Sequence, residues 1–166
     1  MGEILGKGSV EEPLNRSIKP HMITIEDIPQ ILEISKFFWG KRGIYKTSSL
    51  EKVINQHLSF AYKLRGKLIA FCLMCNKENT NIVNVFLICV KKEYQGKHFG
   101  KSLLSYCIKN CQNHNYKNFE LHVSTTNVAA LVVYKKLGFV VKSFNKNYYR
   151  DDNPKNNDAF YMTLNL

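Results

Sequence analysis

Residues 85–104 read VFLICVKKEYQGKHFGKSLL, and this stretch decides the fold. Its apolar first part predicts a buried strand, its glycine- and lysine-rich middle predicts a turn, and its last part, with apolar residues at helical spacing, predicts the start of a helix. A small-residue turn between a strand and a helix lets backbone N–H groups converge on an anion, and the helix dipole adds to the attraction. Lys97 and Lys101 add positive charge nearby. We therefore interpret the stretch as a site for a phosphate-bearing cofactor.

The length and composition indicate a single globular domain. A chain of 166 residues that is 45% hydrophobic and 12% aromatic can bury a substantial core. It has no apolar run of about 18 residues, which a membrane span requires, and its N-terminus does not resemble a signal peptide. Residues 1–13 show no periodicity and predict a flexible tail, so the domain is expected to span residues 14–166. We expect a soluble, cytoplasmic protein that does not contact a membrane.

The net charge of +11 favours polyanionic partners such as nucleic acid, the ribosome or a phosphorylated ligand. The alternative is a lysine- and asparagine-rich composition whose charges lie on a solvated surface. The sequence contains neither a basic amphipathic helix nor an RNA-binding motif. It therefore predicts no sequence-specific binding of nucleic acid.

Five cysteines, at positions 72, 75, 89, 107 and 111, predict buried thiols rather than a metal site. Cys72 and Cys75 have a metal-like spacing, but they lie in an apolar strand, where an offset of three points two side chains to opposite faces. Cys107 and Cys111 share a helix face, but no quartet of histidine and cysteine ligands accompanies them. We expect free thiols in a reducing compartment and no bound metal.

The hydrophobic pattern of the whole chain predicts the order β-α-α-β-β-β-α-β-α-β-β. This order belongs to the α/β class, with a mixed sheet of about seven strands and about four helices on its two faces. A capping box at Thr24–Asp27 predicts the start of the first helix, and Gly66 predicts the turn of a hairpin. The remaining predicted elements are a strand at 15–21, a helix from 48 to about 57, helices at 100–113 and 127–137, and strands at 119–123, 139–146 and 159–166.

Three blocks of this sequence resemble the GNAT acetyltransferases. The block YQGKHFG at 94–100 is similar to the family's pyrophosphate turn, Gln/Arg-x-x-Gly-x-Gly/Ala. The second block combines LHVSTTNVAA at 121–130 with YKKLGF at 134–139, and the third combines NYY at 147–149 with DAFYMTL at 158–164. Together the blocks are similar to the N-terminal (Nα) acetyltransferases, above all to the catalytic subunit of NatE and to the bacterial ribosomal-protein alanine acetyltransferases. The likeness is sharp only from about residue 85 onward.

The resemblance implies that acetyl-CoA binds where the fourth and fifth strands of a GNAT sheet splay apart. Backbone groups of the fourth strand would hold the pantetheine arm, and the glycine-rich turn would hold the pyrophosphate. Asn127 and the start of the helix at 127–137 would flank the thiol end. The residues implied for this role are Ile88, Cys89, Val90, Gln95, Gly96, Lys97, His98, Phe99, Gly100, Lys101, Ser102, Asn127, Ala130 and Tyr134.

His98 is the one irregular position of this turn, because the family has a glycine there. Glycine permits a positive φ and a close approach of the backbone. Histidine is tolerated at such a position only if its φ stays negative or is mildly left-handed. Its side chain either contacts a phosphate or points to solvent, and the sequence leaves both open.

Acetyl transfer to an amine needs a base for the proton of the amine and a proton donor for the leaving thiolate. His122 is the candidate base, because its usual pKa near 6.5 suits proton transfer at neutral pH. Its alternative role is packing, but the resemblance favours catalysis, since NatE-like enzymes carry a matching histidine that acts through an ordered water. Tyr134 matches the family's acid toward the sulfur of CoA. The second catalytic tyrosine of NatE-like enzymes falls on Asn84, so His122 acts alone or with another group.

The acceptor side is assigned to aromatic residues. Tyr148 and Tyr149 resemble the family's paired tyrosines, which hold the substrate's first residues, although a hairpin with aromatic edges would also explain them. The segment 37–45 is expected to line the pocket for the first residue, and Lys41 and Arg42 within it favour an acidic second or third residue. The other residues assigned to the substrate are Phe38, Tyr45 and Phe86.

The expected function is acetyl-CoA-dependent acetylation of the α-amine of a protein or peptide N-terminus, by direct attack and without a covalent enzyme intermediate. The expected partners are a peptide or nascent chain, with the ribosome or an auxiliary Nat subunit as further candidates. One alternative is a GNAT enzyme that acetylates a lysine side chain or a small amine. Another is a non-catalytic GNAT fold that binds acetyl-CoA and serves in docking.

Overall fold

The computed structural model describes residues 18–39, 45–149 and 157–166, except for the side chains of Phe38 and Trp39. The expectations for the tail at 1–13, for Lys41 and Arg42, and for the side chain of Phe38 lie outside the described residues. The elements are β1 (His21–Met22), α1 (Ile28–Trp39), α2 (Thr47–Ile54), β2 (Phe60–Leu64), β3 (Lys67–Asn76), β4 (Ile82–Val90), α3 (Phe99–Asn113), β5 (Asn118–Ser124), α4 (Val128–Lys136), β6 (Val140–Asn145) and β7 (Ala159–Asn165).

Within the described residues, seven strands form one mixed sheet in the order β1-β2-β3-β4-β5-β7-β6. Every neighbouring pair is antiparallel except β4 and β5, which are parallel. The predicted element order and the α/β class are therefore confirmed. No helix in the described part of the chain is long and apolar enough to cross a membrane.

The predicted first strand at 15–21 is wrong in its bounds. Within the described residues β1 contains only His21 and Met22, which pair with Ala61 and Phe60 of β2. Pro20 stands directly before this strand and has no N–H group to donate to a neighbouring strand. Among the described residues, the pairing with β2 therefore begins only after the proline.

Two hydrophobic clusters cover the two faces of the sheet. One cluster joins the sheet to α3 and α4 and contains the fully buried Phe99 and Phe119. The other joins the opposite face to α1 and α2 and contains Phe71. Cys72 belongs to the first cluster and Cys75 packs against the second, so the prediction that the two thiols point to opposite faces is confirmed.

A β-bulge at Phe86 interrupts β4 where the sheet opens. In the register of β3 with β4, Leu73 pairs with Leu87 and Met74 pairs with Val85, which leaves Phe86 without a direct partner. The parallel pairing of β4 with β5 ends at the same level, at Val85 and Leu121, although both strands continue. The bulge thus marks the point at which β4 and β5 splay apart.

Candidate functional site

A cavity of about 290 Å³ lies at the splay between β4 and β5. Its walls come from the carboxyl-terminal halves of both strands, from α4 and its N-cap, from Tyr45 before α2 and from Tyr149 after β6. Seven residues that the sequence assigned to cofactor, catalysis or substrate line it together: Tyr45, Phe86, Ile88, His122, Asn127, Tyr134 and Tyr149. The other lining residues are Val85, Leu87, Leu121, Val123, Ser124 and Thr126.

The turn between β4 and α3 has the backbone geometry of an anion site. Gly96 has φ +74° and His98 has φ +64°, so both adopt the left-handed conformation. The first hydrogen bond of α3 runs from Ser102 N to His98 O, at 2.9 Å. The N–H groups at the start of the helix, up to that of Lys101, therefore have no partner within the helix and are available to a bound anion.

The start of α3 is pressed against β4. A Cβ atom added at Gly100 would lie 3.3 Å from Cγ2 of Val90, so this glycine permits the close approach. Gln95 fastens the turn to the strand, because its Nε2 donates a hydrogen bond to Val90 O at 3.0 Å. Ser102 Oγ lies 2.8 Å from the hydroxyl of the buried Tyr62. The turn is thus held rigidly to the end of β4.

Some residues assigned to the cofactor lie away from the cavity wall. The side chain of Cys89 is buried in the cluster beneath α1 and α2, where the thiol cannot reach the cavity. Ala130 packs against the cluster beneath α4, and its N–H donates to Asn127 Oδ1 at 3.1 Å. Asn127 thereby caps α4 while lining the cavity. Lys97 lies over the ring of Tyr94, with Nζ 5.7 Å from the ring centroid.

His122 lies on β5, on the face opposite to the buried Leu121 and Val123. Its ring stacks on that of Tyr148, with centroids 4.1 Å apart and planes 8° apart. Nε2 lies 3.4 Å from Nδ2 of Asn145, where an unprotonated nitrogen accepts a hydrogen bond. Desolvation lowers the pKa of His122, and the charge of Glu120 acts in the opposite direction. The imidazole is therefore mostly neutral at neutral pH.

Tyr134 projects from α4 into the same cavity and is only 6% exposed. Burial raises its pKa well above the usual value for tyrosine. The hydroxyl therefore keeps its proton at neutral pH and is available as a hydrogen-bond donor.

Two residues that the sequence reasoning did not identify lie beside His122. Glu120 accepts a hydrogen bond from the hydroxyl of Tyr161 at 2.6 Å, and the rings of Tyr161 and His122 lie 5.1 Å apart. Strand alternation alone places Glu120 on the same face as His122, so this residue had a signal in the sequence. No sequence pattern predicts the position of Tyr161, because it depends on which residue of β7 pairs with His122 of β5.

Two pairs of aromatic rings lie at the cavity. Tyr45 meets Phe86 edge to face, with ring centroids 5.3 Å apart. Tyr148 and Tyr149 form a second edge-to-face pair at 4.9 Å, and Tyr149 lines the cavity. Among the residues described here, no group of three or more His, Cys, Asp or Glu could hold a metal ion.

The sequence comparisons identify a family. The model of the acetyltransferase (GNAT) family matches residues 27–139. The ribosomal protein bS18-alanine N-acetyltransferase of Escherichia coli (strain K12) is 29% identical over 113 residues, which cover 66% of this chain and 72% of that protein. The putative ribosomal protein bS18-alanine N-acetyltransferase of Bacillus subtilis (strain 168) is 29% identical over 147 residues, which cover 86% of this chain and 91% of that protein.

Solved structures share the fold. The structure of the ribosomal-protein-S18-alanine N-acetyltransferase from Escherichia coli has a TM-score of 0.77 and 24% identity, and the match covers 90% of this chain and 94% of that one. Naa50 of Arabidopsis thaliana, in complex with the bisubstrate analogue CoA-Ac-MVNAL, has a TM-score of 0.77 and 21% identity, with coverages of 90% and 99%. The family match extends over more than half of the sequence, and the resemblance seen in it is confirmed. This chain belongs to the acetyltransferase (GNAT) family and is an N-acetyltransferase.

Proposed function

We propose that the protein transfers an acetyl group from acetyl-CoA to the α-amine of a protein or peptide N-terminus. The observation that carries this proposal is the position of His122. Its imidazole lies in the wall of the splay cavity, with Tyr134 in the same cavity and the ring of Tyr148 stacked on it. A candidate base, a candidate donor and an aromatic cover thus surround one space.

The residues at the splay fit acetyl-CoA. The unpaired N–H groups at the start of α3, with Lys97 and Lys101 beside them, suit a pyrophosphate. The apolar wall formed by Ile88 and Val123 suits a slender chain that enters between the two strands. When bound, acetyl-CoA supplies an acetyl thioester, an acyl group already activated for attack by an amine.

His122 is the proposed base for the acceptor amine. An α-ammonium group has an ordinary pKa of about 8, and it must lose a proton before its nitrogen can attack a carbonyl. The largely neutral imidazole accepts this proton, directly or through one water molecule. None of the described residues in the cavity wall is a cysteine, which supports direct transfer without an acylated thiol.

Tyr134 is the proposed hydrogen-bond donor to the leaving sulfur of CoA. Because burial raises its pKa, the hydroxyl offers a hydrogen bond to the leaving sulfur and does not itself ionise at neutral pH. A donor that is already aligned stabilises negative charge as it develops. Its contribution is expected to be electrostatic.

The cavity wall favours a peptide over a small cationic amine as the acceptor. The described lining residues include no aspartate or glutamate, which a polyamine would need for its second positive charge. Tyr148 and Tyr149 instead offer aromatic surface beside His122. The bacterial relatives are named as alanine N-acetyltransferases of ribosomal protein bS18. Their names support a protein as the acceptor.

A peptide library incubated with the protein and acetyl-CoA tests the proposal. Each peptide would be supplied with a free and with a blocked N-terminus, and half would contain an internal lysine. We expect a mass gain of one acetyl group only on free N-termini, located by fragmentation. Equal labelling of lysines in blocked peptides would indicate a lysine acetyltransferase, and binding of acetyl-CoA without any transfer would indicate a docking module.

A further inference from the structure

Glu120 is a buried carboxylate that the reaction described above does not use. It is only 8% exposed and lies on β5, two residues before His122 and on the same face of the strand. Its Oε2 accepts the hydrogen bond of Tyr161, and Lys77 Nζ lies 3.5 Å from its Oε1. The side chain of Lys77 is 58% exposed, so this ion pair is weak. A carboxylate is rarely buried with so little compensation.

Tyr161 connects this carboxylate to His122. The residues His122 and Tyr161 pair directly across β5 and β7, and their rings lie 5.1 Å apart. The hydroxyl of the same tyrosine reaches Glu120 at 2.6 Å. One side chain therefore contacts the candidate base with its ring and the carboxylate with its hydroxyl.

The phenol beside His122 comes from β7 and not from β4. The tyrosine that the resemblance implies on β4 is Asn84 in this chain. Asn84 pairs with Glu120 and so lies on the same face, but it does not line the cavity. A phenol that is missing from β4 is thus present on β7, on the other side of β5.

We propose that Glu120 is a positioning residue for His122: its carboxylate, oriented by Tyr161, stabilises the imidazolium that forms when His122 takes the proton of the acceptor amine. In this step an N–H bond of the α-ammonium group breaks and an N–H bond of the imidazole forms. The inference rests on the proposed function, in which His122 is the base.

Among the described residues around His122, Glu120 is the anion that acts on it. Tyr161 from β7 and Tyr148 after β6 face the ring, and both have raised pKa values and stay neutral. Desolvation lowers the pKa of His122 and so weakens the base, whereas Glu120 raises it. The cation nearest to the carboxylate is Lys77, which partly offsets its charge. The same carboxylate also acts on Cys75 of β3, because desolvation and the charge of Glu120 both raise the pKa of its thiol.

Titration of His122 by NMR tests the inference without any substrate. The full-length protein, labelled in its five histidines, is compared with Glu120→Gln, Glu120→Asp and Lys77→Met, and the signal is assigned with His122→Ala. We expect a lower pKa of His122 in Glu120→Gln, a value near that of the unsubstituted protein in Glu120→Asp, and a higher one in Lys77→Met. Glu51→Gln, at an exposed position on α2, removes the same charge elsewhere and should change nothing.

The rate of acetyl transfer provides a second test of the role of Glu120. In Glu120→Gln the amide oxygen can still accept the hydrogen bond of Tyr161, so we expect the fold to be retained while the charge is lost. We expect the maximal kcat to fall about three- to tenfold. We also expect the acidic limb of the pH profile to move to lower pH, because a base with a lower pKa becomes protonated only at lower pH. A purely structural role would lower the rate without moving that limb.

Two results would overturn the inference. One is an unchanged pKa of His122 in both Glu120→Gln and Lys77→Met, and if the first variant does not fold, the second alone decides. The other is a shift in Glu120→Asp as large as that in Glu120→Gln. Failure of the peptide-library experiment leaves the titration unaffected, so an error about the acceptor and an error about Glu120 are distinguished.

Discussion

At the scale of single residues, the environment of His122 decides whether it serves as a base. Its ring is partly desolvated by Tyr148, and its pKa is lowered, so the imidazole is neutral where an amine must be deprotonated. A histidine used only for packing would not need to face a cavity. Its position in the cavity wall therefore favours the catalytic role.

His122→Ala is expected to lower kcat by on the order of 10²-fold, because the base is removed while the cavity remains. The KM for acetyl-CoA should stay nearly constant, since the turn at residues 95–100 is untouched. Steady-state kinetics with a free N-terminal peptide measure both. His114→Gln is the matched control, because His114 is exposed and caps α3 away from the cavity. Equal rates for the two variants would remove His122 from the mechanism.

Tyr134→Phe removes one hydroxyl and keeps the ring that packs against Phe139, whose centroid is 5.7 Å away. We expect kcat to fall on the order of 10²-fold with little change in the midpoint of thermal unfolding. Tyr106→Phe, on the exposed face of α3, is the control for loss of a hydroxyl. A variant that loses stability together with activity would indicate that the hydroxyl is structural.

A site residue could be predicted from the sequence when it belongs to a local sequence motif. His122 and Tyr134 stand in motifs that the sequence displays, and the structure places both in one cavity. Glu120 is two residues from His122 on the same strand, so alternation predicts its face although no motif marks its role. Tyr161 is 39 residues from His122 in sequence, and the two meet only through the register of β5 with β7, so no local pattern indicates it.

At the scale of elements, the turn between β4 and α3 depends on two residues with positive φ. Gly96→Ala is expected to destabilise the protein by about 1 kcal/mol, because φ +74° is costly for any residue with a Cβ. A Cβ at this position would meet nothing within 4 Å, so the cost is conformational alone. Gly66→Ala is a matched control, with φ +75° and equally open space. Chemical denaturation should give similar losses for both, and only Gly96→Ala should weaken binding of acetyl-CoA.

Lys97→Ala and Lys101→Ala are each expected to weaken binding of acetyl-CoA about two- to fivefold at low salt, as exposed ion pairs do. The difference from the unsubstituted protein should shrink as salt is added, since screening shortens the reach of exposed charges. Calorimetric titration at two salt concentrations measures this. Lys109→Ala removes the same charge from an exposed position two turns further along α3 and should bind normally. A salt-independent loss would argue against an electrostatic role.

The bounds of the elements were largely predictable, and the departures have physical causes. The apolar pattern, the capping motifs and the position of Gly66 together located the hairpin and the four helices of the described residues. The first strand begins later than its apolar pattern predicts, because Pro20 has no N–H group to donate to the ladder. The bulge at Phe86 was not foreseen, because an uninterrupted apolar run such as that of β4 carries no mark of the position at which its register shifts.

At the scale of the whole molecule, the sheet separates two tasks. The face covered by α3 and α4 holds the turn for the cofactor, whereas the face with α1 and α2 carries Glu120, His122 and the aromatic pair of Tyr45 and Phe86. The splay between β4 and β5 is the opening that connects these faces. We therefore propose that the reaction takes place where the sheet is interrupted, and that residues outside the glycine-rich turn determine the acceptor.

The net charge of +11 belongs to the molecule as a whole, and it should affect the choice of peptide. A protein of this charge attracts an anionic substrate over several ångströms, and salt screens the attraction. We expect kcat/KM for a peptide with acidic second and third residues to exceed that for its amide counterpart at low salt, and the advantage to fall as salt rises. Acetyl-CoA must be saturating at every salt concentration, because its own binding is also salt-dependent. An advantage that persists at high salt would indicate a specific contact with the acidic residues instead, and no advantage at low salt would mean that the charge serves another partner.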